Sequence, residues 1–324
     1  MDPKAWARGV GAAPTGAPLA GALGWGSNKR RKGPAGFRLT ERDVAVLALL
    51  RQCRVLTGEQ IRLCLWPPGP HDSRCQHRLT LLYRHGFLDR LPRLGVSQPA
   101  VYLLSRRAPE GLRLLRERGG QPLRTQQLTR LTSPDHLLGV NAVRVRILRG
   151  VRDLGWELPR WQSAEELRPA LRPFRLIPDG YFQVRRQVGG EAKLAGFFLE
   201  VERESRSLAV LRAKLRRYGQ LFYSGGYAQR FESKALRVLV VYAGEARSLP
   251  AARVARGVAE AGRLGVTIAR FADLASLTGA SAADLLLAPL WQAPGLGPVS
   301  LFPREPRPAE LPASGPLQLV TMAS

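Results

Sequence analysis

Residues 73–91, with the sequence SRCQHRLTLLYRHGFLDRL, pass from a helical pattern to a strand-like one. Ser73 offers a hydroxyl group at a helix start, and Leu79 and Leu82 lie three residues apart, which places them on one helix face. Gly86 is typical of a helix end, because glycine adopts the left-handed backbone conformation at low cost. The stretch therefore predicts a helix that ends at Gly86 and is followed at once by a short strand.

Two more helix starts precede this stretch. Thr40-Glu41-Arg42-Asp43 and Thr57-Gly58-Glu59-Gln60 each place a hydroxyl group three residues before an acid or amide, which is the pattern of a capping box. Downstream, Val101-Tyr102-Leu103-Leu104 follows a turn rich in Gly, Ser and Pro and predicts the second strand of a hairpin. Three helices and a hairpin predict a winged helix-turn-helix domain over residues 37–107.

The third helix of this domain carries a polar face suited to DNA. Arginine and glutamine side chains contact phosphates and base edges in the major groove. The members of this face are Arg74, Gln76, His77, Arg78 and Arg84. The whole chain has a formal net charge of +25, and nucleic acid is the commonest partner for such an excess. The sequence therefore predicts binding of double-stranded DNA, with a protein-contact role for this domain as the alternative.

Composition sets the outer boundaries of the chain. Residues 1–36 are rich in Gly, Ala and Pro and end in Asn28-Lys29-Arg30-Arg31-Lys32, which predicts a flexible basic arm that brings Arg30 and Arg31 to DNA. A terminus with solvated charge is the alternative. Residues 108–135 are expected to form a connector, and residues 289–324 a flexible Pro-rich tail.

From residue 136 the pattern changes to helices and strands that follow one another. The predicted helices cover residues 136–154 and 207–223, and the predicted strands cover residues 156–161, 174–184, 195–203 and 236–242. Their order is helix, three strands, helix, strand, which is the order found in the core of restriction-endonuclease-like folds. The sequence therefore predicts an α+β protein, in which the winged helix-turn-helix is followed by an α/β restriction-endonuclease-like domain over residues 136–288.

Acidic residues in this second domain form a candidate nuclease motif. Asp179 follows a proline, and Glu200 and Glu202 are two residues apart on a strand, so that both project from one face. Carboxylates from adjacent strands can bind a divalent cation that activates water, so Asp179 and Glu200 are candidate ligands of Mg²⁺ or Mn²⁺. Glu202 stands where the nuclease motif has lysine, and Lys214 in the next helix is the candidate substitute. Active cleavage and a scaffold used only for binding both remain open.

The helix that carries Lys214 is strongly basic. Arginine alternates on it with aromatic residues, a combination that suits contact with a nucleic-acid backbone. We expect the aromatic residues to pack on the sheet and the arginines to contact DNA. These arginines are Arg212, Arg216 and Arg217.

Several short stretches resemble the replication-relaxation family of plasmid and mobile-element proteins. They are LTERD at 39–43, TGEQI at 57–61, RLTLLYRHGFL at 78–88, VYLL at 101–104, His136 with Asn141, Pro178-Asp179-Gly180, FLEVE at 198–202 and LRRY at 215–218. The resemblance covers about residues 39–243 and implies a winged-helix protein that acts in plasmid replication or in relaxation of plasmid DNA. We expect His136 to cap its helix, with a polar site at that helix start as the alternative.

Three functions remain open at this point. The first is a DNA-binding protein of plasmid or mobile-element replication or relaxation, whose second domain does not cleave. The second is a metal-dependent DNA endonuclease or nickase, and the third is a winged-helix transcription regulator. Replication or relaxation proteins and a second copy of the chain are candidate partners. No apolar run reaches the length that a bilayer demands, and the three cysteines include no C-x-x-C pair, so we expect a cytoplasmic protein without membrane contact.

Overall fold

The computed structural model describes residue 33 and residues 35–66, 72–91, 99–105, 134–202, 207–244 and 248–304. The predicted basic arm with Arg30 and Arg31, most of the predicted connector, and residues 305–324 lie outside the described residues. No helix in the described part of the chain is long and apolar enough to cross a membrane.

The N-terminal domain contains three helices and a three-stranded antiparallel sheet. Its elements are α1 (Glu41–Cys53), β1 (Val55–Thr57), α2 (Gly58–Leu65), α3 (Asp72–Arg84), β2 (Leu88–Arg90) and β3 (Val101–Leu104). The strand order is β1-β3-β2, so that the predicted hairpin lies beside a third short strand. This is the order of helices and hairpin predicted for a winged helix.

Local sequence explains where these helices begin and end. Thr40 with Asp43, and Thr57 with Gln60, form the two predicted capping boxes, in which each side chain bonds to the backbone N–H of the other residue. Gly86 has a φ of 81°, which is the left-handed conformation expected at the end of α3. Asp43 has a second role, because its buried carboxylate is also paired with the Arg78 guanidinium of α3.

The second domain is built on a seven-stranded mixed sheet in the order β10-β9-β8-β7-β6-β5-β4. Its elements are α4 (Pro134–Asp153), β4 (Glu157–Ser163), α5 (Ala164–Leu171), β5 (Gly180–Val188), β6 (Glu191–Glu202), α6 (Leu208–Tyr223), α7 (Gly226–Phe231), β7 (Leu236–Tyr242), α8 (Ser248–Arg263), β8 (Ala269–Asp273), α9 (Leu274–Gly279), α10 (Asp284–Leu287), β9 (Trp291–Ala293) and β10 (Gly297–Val299). Strands β6, β7 and β8 are parallel and the other pairs are antiparallel. Helix α4 packs on one face of the sheet, and α6 and α8 pack on the other.

The mixed α+β class and the predicted order of helix, three strands, helix and strand are therefore confirmed. Two differences stand beside this agreement. Helix α5 separates β4 from β5, and the sheet continues beyond residue 289, where the sequence predicts a flexible tail. The reason is Trp291, which is fully buried and donates its indole N–H to the Leu285 carbonyl oxygen at 3.0 Å. The low hydrophobic periodicity of this Pro- and Gly-rich segment conceals a short edge hairpin.

Helix α4 joins the two domains. The Asn141 side-chain amide donates to the carbonyl oxygens of Cys53 and Val55, at 2.9 Å and 2.7 Å, and Gln60 of α2 donates to the Leu138 carbonyl oxygen at 3.1 Å. Asn141 is buried, and a buried amide is costly to leave without its partners. The hydrogen bonds of α4 therefore fix the N-terminal domain on the sheet domain.

Candidate functional site

The acidic residues predicted as a nuclease motif come together at one end of the sheet. The Asp179 backbone N–H donates to the Leu199 carbonyl oxygen at 3.0 Å, and the Asp179 carboxylate accepts from the Val201 backbone N–H at 2.7 Å. These bonds place Asp179 beside the C-terminal end of β6. Glu200 and Glu202 alternate with Val201 on that strand and face α6. The arrangement brings three carboxylates, two on β6 and one just before β5, to the same end of the sheet.

Glu200 is the most deeply buried member of this group, with 1% of the residue exposed. Its carboxylate accepts from the Lys214 ammonium group and from the Tyr218 hydroxyl group, both on α6. Burial raises the pKa of Glu200 to about 7, although the Lys214 charge acts in the opposite direction. The carboxyl group therefore changes its charge near neutral pH, where most glutamates are already ionised.

Lys214 lies between the two glutamates. Its ammonium nitrogen is bonded to Glu200 and is 3.6 Å from Oε1 of Glu202. Burial lowers the pKa of Lys214, but the carboxylates of Glu200, Glu202 and Asp179 together outweigh burial and raise it above its ordinary value. Lys214 therefore lies beside Glu202, the position at which the nuclease motif has lysine, and its role as a substitute for that lysine stays a prediction.

His136 is a further member of this group, and its contact agrees with the alternative of a polar site at the start of its helix. Its Nε2 is 2.9 Å from Oδ1 of Asp179. Helix α4 begins at Pro134, so His136 lies in its first turn and not at the capping position that we expected from the sequence. The resemblance of His136 to the family pattern is the signal that could have marked it as a site residue.

The residues of this cluster do not fit a divalent cation in the present arrangement. Both oxygens of Asp179 and both oxygens of Glu200 are already bonded to groups of the chain, namely His136, the Val201 N–H, Tyr218 and Lys214. Among the described residues, no three His, Cys, Asp or Glu side chains are arranged to hold a metal ion. Asp179 and Glu200, the expected ligands of Mg²⁺ or Mn²⁺, therefore contact other groups of the chain, and their role as metal ligands stays a prediction.

The predicted DNA-contacting residues of α3 divide into two groups. Arg74, Gln76, His77 and Arg84 are exposed. Arg78 is half-buried, because its guanidinium group is bonded to Asp43 and to the Arg38 carbonyl oxygen. The side chain of Arg78 therefore fixes α3 against α1 and offers less of its charge to a partner than the other members do.

The three arginines predicted for α6 also differ in their surroundings. Arg216 is exposed, and Arg217 donates to the Arg175 carbonyl oxygen at 3.2 Å. Arg212 is paired with the buried carboxylate of Glu260, whose pKa is lowered to about 2 by this hydrogen bond with further help from Arg263. Arg216 is thus the member of the three with the most accessible charge.

Two sheets with their own helices, and a carboxylate–lysine cluster at one end of the larger sheet, define a mixed α+β protein. The model of the replication-relaxation family matches residues 47–236, which is more than half of the chain. The chain therefore belongs to the replication-relaxation family, and the resemblance drawn from its sequence is confirmed.

Comparisons with individual proteins are much weaker. No curated protein shows significant similarity to the chain. One solved structure, that of the restriction endonuclease FokI bound to DNA, is similar at 11% identity and a TM-score of 0.25. The match covers 75% of this chain and 45% of the FokI chain. A TM-score this low supports no conclusion about the fold or the activity of this chain.

Proposed function

We propose that this chain is a DNA-binding protein of plasmid or mobile-element replication or relaxation, whose N-terminal winged helix contacts duplex DNA. The observation that carries the proposal is the exposed face of α3, where Arg74, Gln76, His77 and Arg84 project from one helix. A helix of this kind fits the major groove, and its arginine and glutamine side chains match phosphates and base edges. The family supplies the biological setting.

One feature of the fold and one of the composition support this proposal. The Asp43–Arg78 pair and the capping box at Thr40 hold α1 and α3 in a fixed relation, so that the exposed face of α3 is ordered before it meets DNA. The net charge of +25 would also draw the chain to a polyanion from a distance. We include in the proposal a cytoplasmic location, replication or relaxation proteins as partners, and a homodimer as the form that binds two half-sites.

A salt titration of duplex DNA binding tests the proposal. Fluorescence anisotropy with two unrelated duplexes should give an affinity that falls steeply with salt, because each neutralised phosphate contributes a slope of about 0.9 in log K against log salt. Gln76→Ala should lower the preference between the duplexes by about 1–3 kcal/mol if this side chain contacts a base. Arg256→Gln is the matched control, because Arg256 is an exposed charge on α8, which packs on the face of the sheet opposite α4. Absence of salt-sensitive binding would refute the proposal.

A second candidate function is a DNA endonuclease, and the position of Lys214 between Glu200 and Glu202 favours it. A metal ion would have to displace Lys214 or Tyr218 before it could bind Glu200. Supercoiled plasmid incubated with Mg²⁺ or Mn²⁺, or with chelator, decides between the two functions. Metal-dependent nicking that Glu200→Ala abolishes would establish the endonuclease, whereas binding without cleavage would leave the non-cleaving replication protein.

A further inference from the structure

A basic groove lies between the two domains, beside the N-terminal halves of α1 and α3 and the C-terminal end of α4. Its lining includes Arg42 of α1, Trp66 after α2, Arg74 and His77 of α3, and Arg152 of α4. Of these residues, the sequence predicts DNA contact only for the two on α3, Arg74 and His77. Arg42 and Arg152 join them because the fold brings α1 and α4 to the same place.

The described lining of the groove is mainly basic. Among the described residues that line it, four are arginines and one is a histidine, and Glu41 is the only acid. One of these arginines, Arg78, is already neutralised by Asp43, but Arg42, Arg74 and Arg152 are exposed. Three exposed guanidinium groups from three helices therefore face one opening, and such an arrangement attracts an anionic partner.

Two of these arginines are held in place before any partner arrives. The Arg42 guanidinium lies over the Trp66 ring, 5.2 Å from its centroid, and Trp66 itself is buried. Arg152 donates to the Cys64 carbonyl oxygen at the end of α2. A guanidinium group that is fixed through one edge or face still presents its other N–H donors, and less side-chain entropy is then lost when it binds phosphate.

We propose that this groove binds the phosphate backbone of duplex DNA on the strand that flanks α3, with Arg42, Arg74 and Arg152 as the phosphate contacts. The inference rests on the proposed function, which places α3 in a major groove. A helix in that position has a phosphate strand on each side, and backbone contacts on these strands fix the register of the protein. The groove borders α3 along the side of Arg74 and His77, so a strand lying there meets α1 and α4 as well. DNA contact thereby extends from the winged helix onto α4 of the sheet domain.

Glutamine variants of the three arginines test this inference in the full-length chain. Arg42→Gln, Arg74→Gln and Arg152→Gln should each lower the slope of log K against log salt by about 0.9 and weaken binding by about tenfold at roughly 50 mM salt. The loss should be equal on two unrelated duplexes, because phosphate carries no sequence information. The control Arg256→Gln, with the same charge change, should leave slope and affinity as in the wild type.

The outcomes separate the groove from the proposed function. If all three glutamine variants keep the affinity and slope of the wild type while Gln76→Ala or Arg84→Ala weakens DNA binding, the proposed phosphate contact in the groove is wrong and the DNA-binding function stands. A wild type that does not bind duplex DNA would overturn both.

Because Arg42 stacks on Trp66 and Arg152 bonds to Cys64, their glutamine variants could also loosen the fold. Arg74 makes no such contact with the described residues, and Arg74→Gln is therefore the decisive variant. Arg42→Lys and Arg152→Lys keep the charge and should restore most of the salt slope. Failure of both lysine variants to restore it, in proteins that melt like the wild type, would count against phosphate contact.

Discussion

Replacement of Glu200 by glutamine removes a buried carboxyl group whose pKa is raised by burial from 4.5 to about 7. In the unfolded chain this group has its ordinary pKa. Between the two values the folded protein holds a proton that the unfolded chain has released, so the stability of the wild type falls as the pH rises. Above the folded pKa both states are ionised, and the loss stops. Glutamine cannot ionise, and it keeps an oxygen that accepts from Tyr218 or Lys214.

The size of the effect follows from the two pKa values. One pKa unit corresponds to about 1.4 kcal/mol, so the full difference is worth roughly 3 kcal/mol. Integration from about pH 5 to about pH 8 gives a loss of about 2.5 kcal/mol that belongs to Glu200. Because only 1% of this residue is exposed, solvent screening does not reduce the figure. A folded pKa one unit lower would still leave about 1 kcal/mol.

The assay is urea denaturation in chelator, followed by tryptophan fluorescence, on wild type and Glu200→Gln at both pH values. The free energy of unfolding is measured at each pH, and its change with pH in the variant is subtracted from its change in the wild type. The contributions of other titrating groups then cancel. Glu157→Gln is the matched control, since it removes a carboxylate on β4 that is 65% exposed. The free energy of unfolding of this control should change with pH as much as that of the wild type does.

Two results would refute this reasoning. If the variant loses as much stability with rising pH as the wild type does, Glu200 is not the group that titrates. If the wild type gains stability relative to the variant as the pH rises, Lys214 lowers the pKa of Glu200 by more than burial raises it. A carbon-13 NMR titration of the labelled glutamate carboxyl groups would then locate the group that does titrate.

Three further predictions concern side chains that are buried or half-buried and make specific contacts. Lys214→Met should lower the free energy of unfolding by about 3 kcal/mol, since it leaves Glu200 without its cation, and Lys214→Arg should recover most of the loss in thermal melts. Asp43→Asn should cost about 3 kcal/mol by breaking the pair with Arg78, and an unchanged near-ultraviolet circular dichroism melt would contradict it. Trp291→Ala should cost about 3–5 kcal/mol in urea denaturation, whereas a flexible tail would give no change.

Local patterns explain why much of the fold can be predicted from the sequence. A capping box such as Thr40 with Asp43 depends on residues three apart, and the helix end at Gly86 depends on one residue. The paired positions of Glu200 and Glu202 depend only on strand alternation. Each of these features is decided within a few residues, so a reading of neighbouring positions is sufficient.

Contacts between distant residues explain what the sequence does not reveal. Arg78 has the spacing of an exposed helix residue, but Asp43 is 35 residues away in the chain and turns its guanidinium group inward. His136 meets Asp179 across 43 residues. The edge hairpin at Trp291 has no alternation long enough to stand out, and only the sheet beside it gives the indole a place to be buried.

Helix α4 sets a distance that links the two proposals. His136 contacts Asp179 at the start of this helix, and Arg152 reaches the basic groove near its end. Sixteen residues at 1.5 Å per residue separate them by about 24 Å along the helix. That length corresponds to roughly seven base-pair steps of about 3.4 Å each. Asn141 bonds this same helix to the N-terminal helices and sheet, so the offset is fixed by the fold and not by a linker. If a duplex lies in the proposed groove and continues along α4, it would reach His136 and Asp179 outside the bases that α3 is proposed to contact, and any cut made there would fall beside the bound site rather than within it.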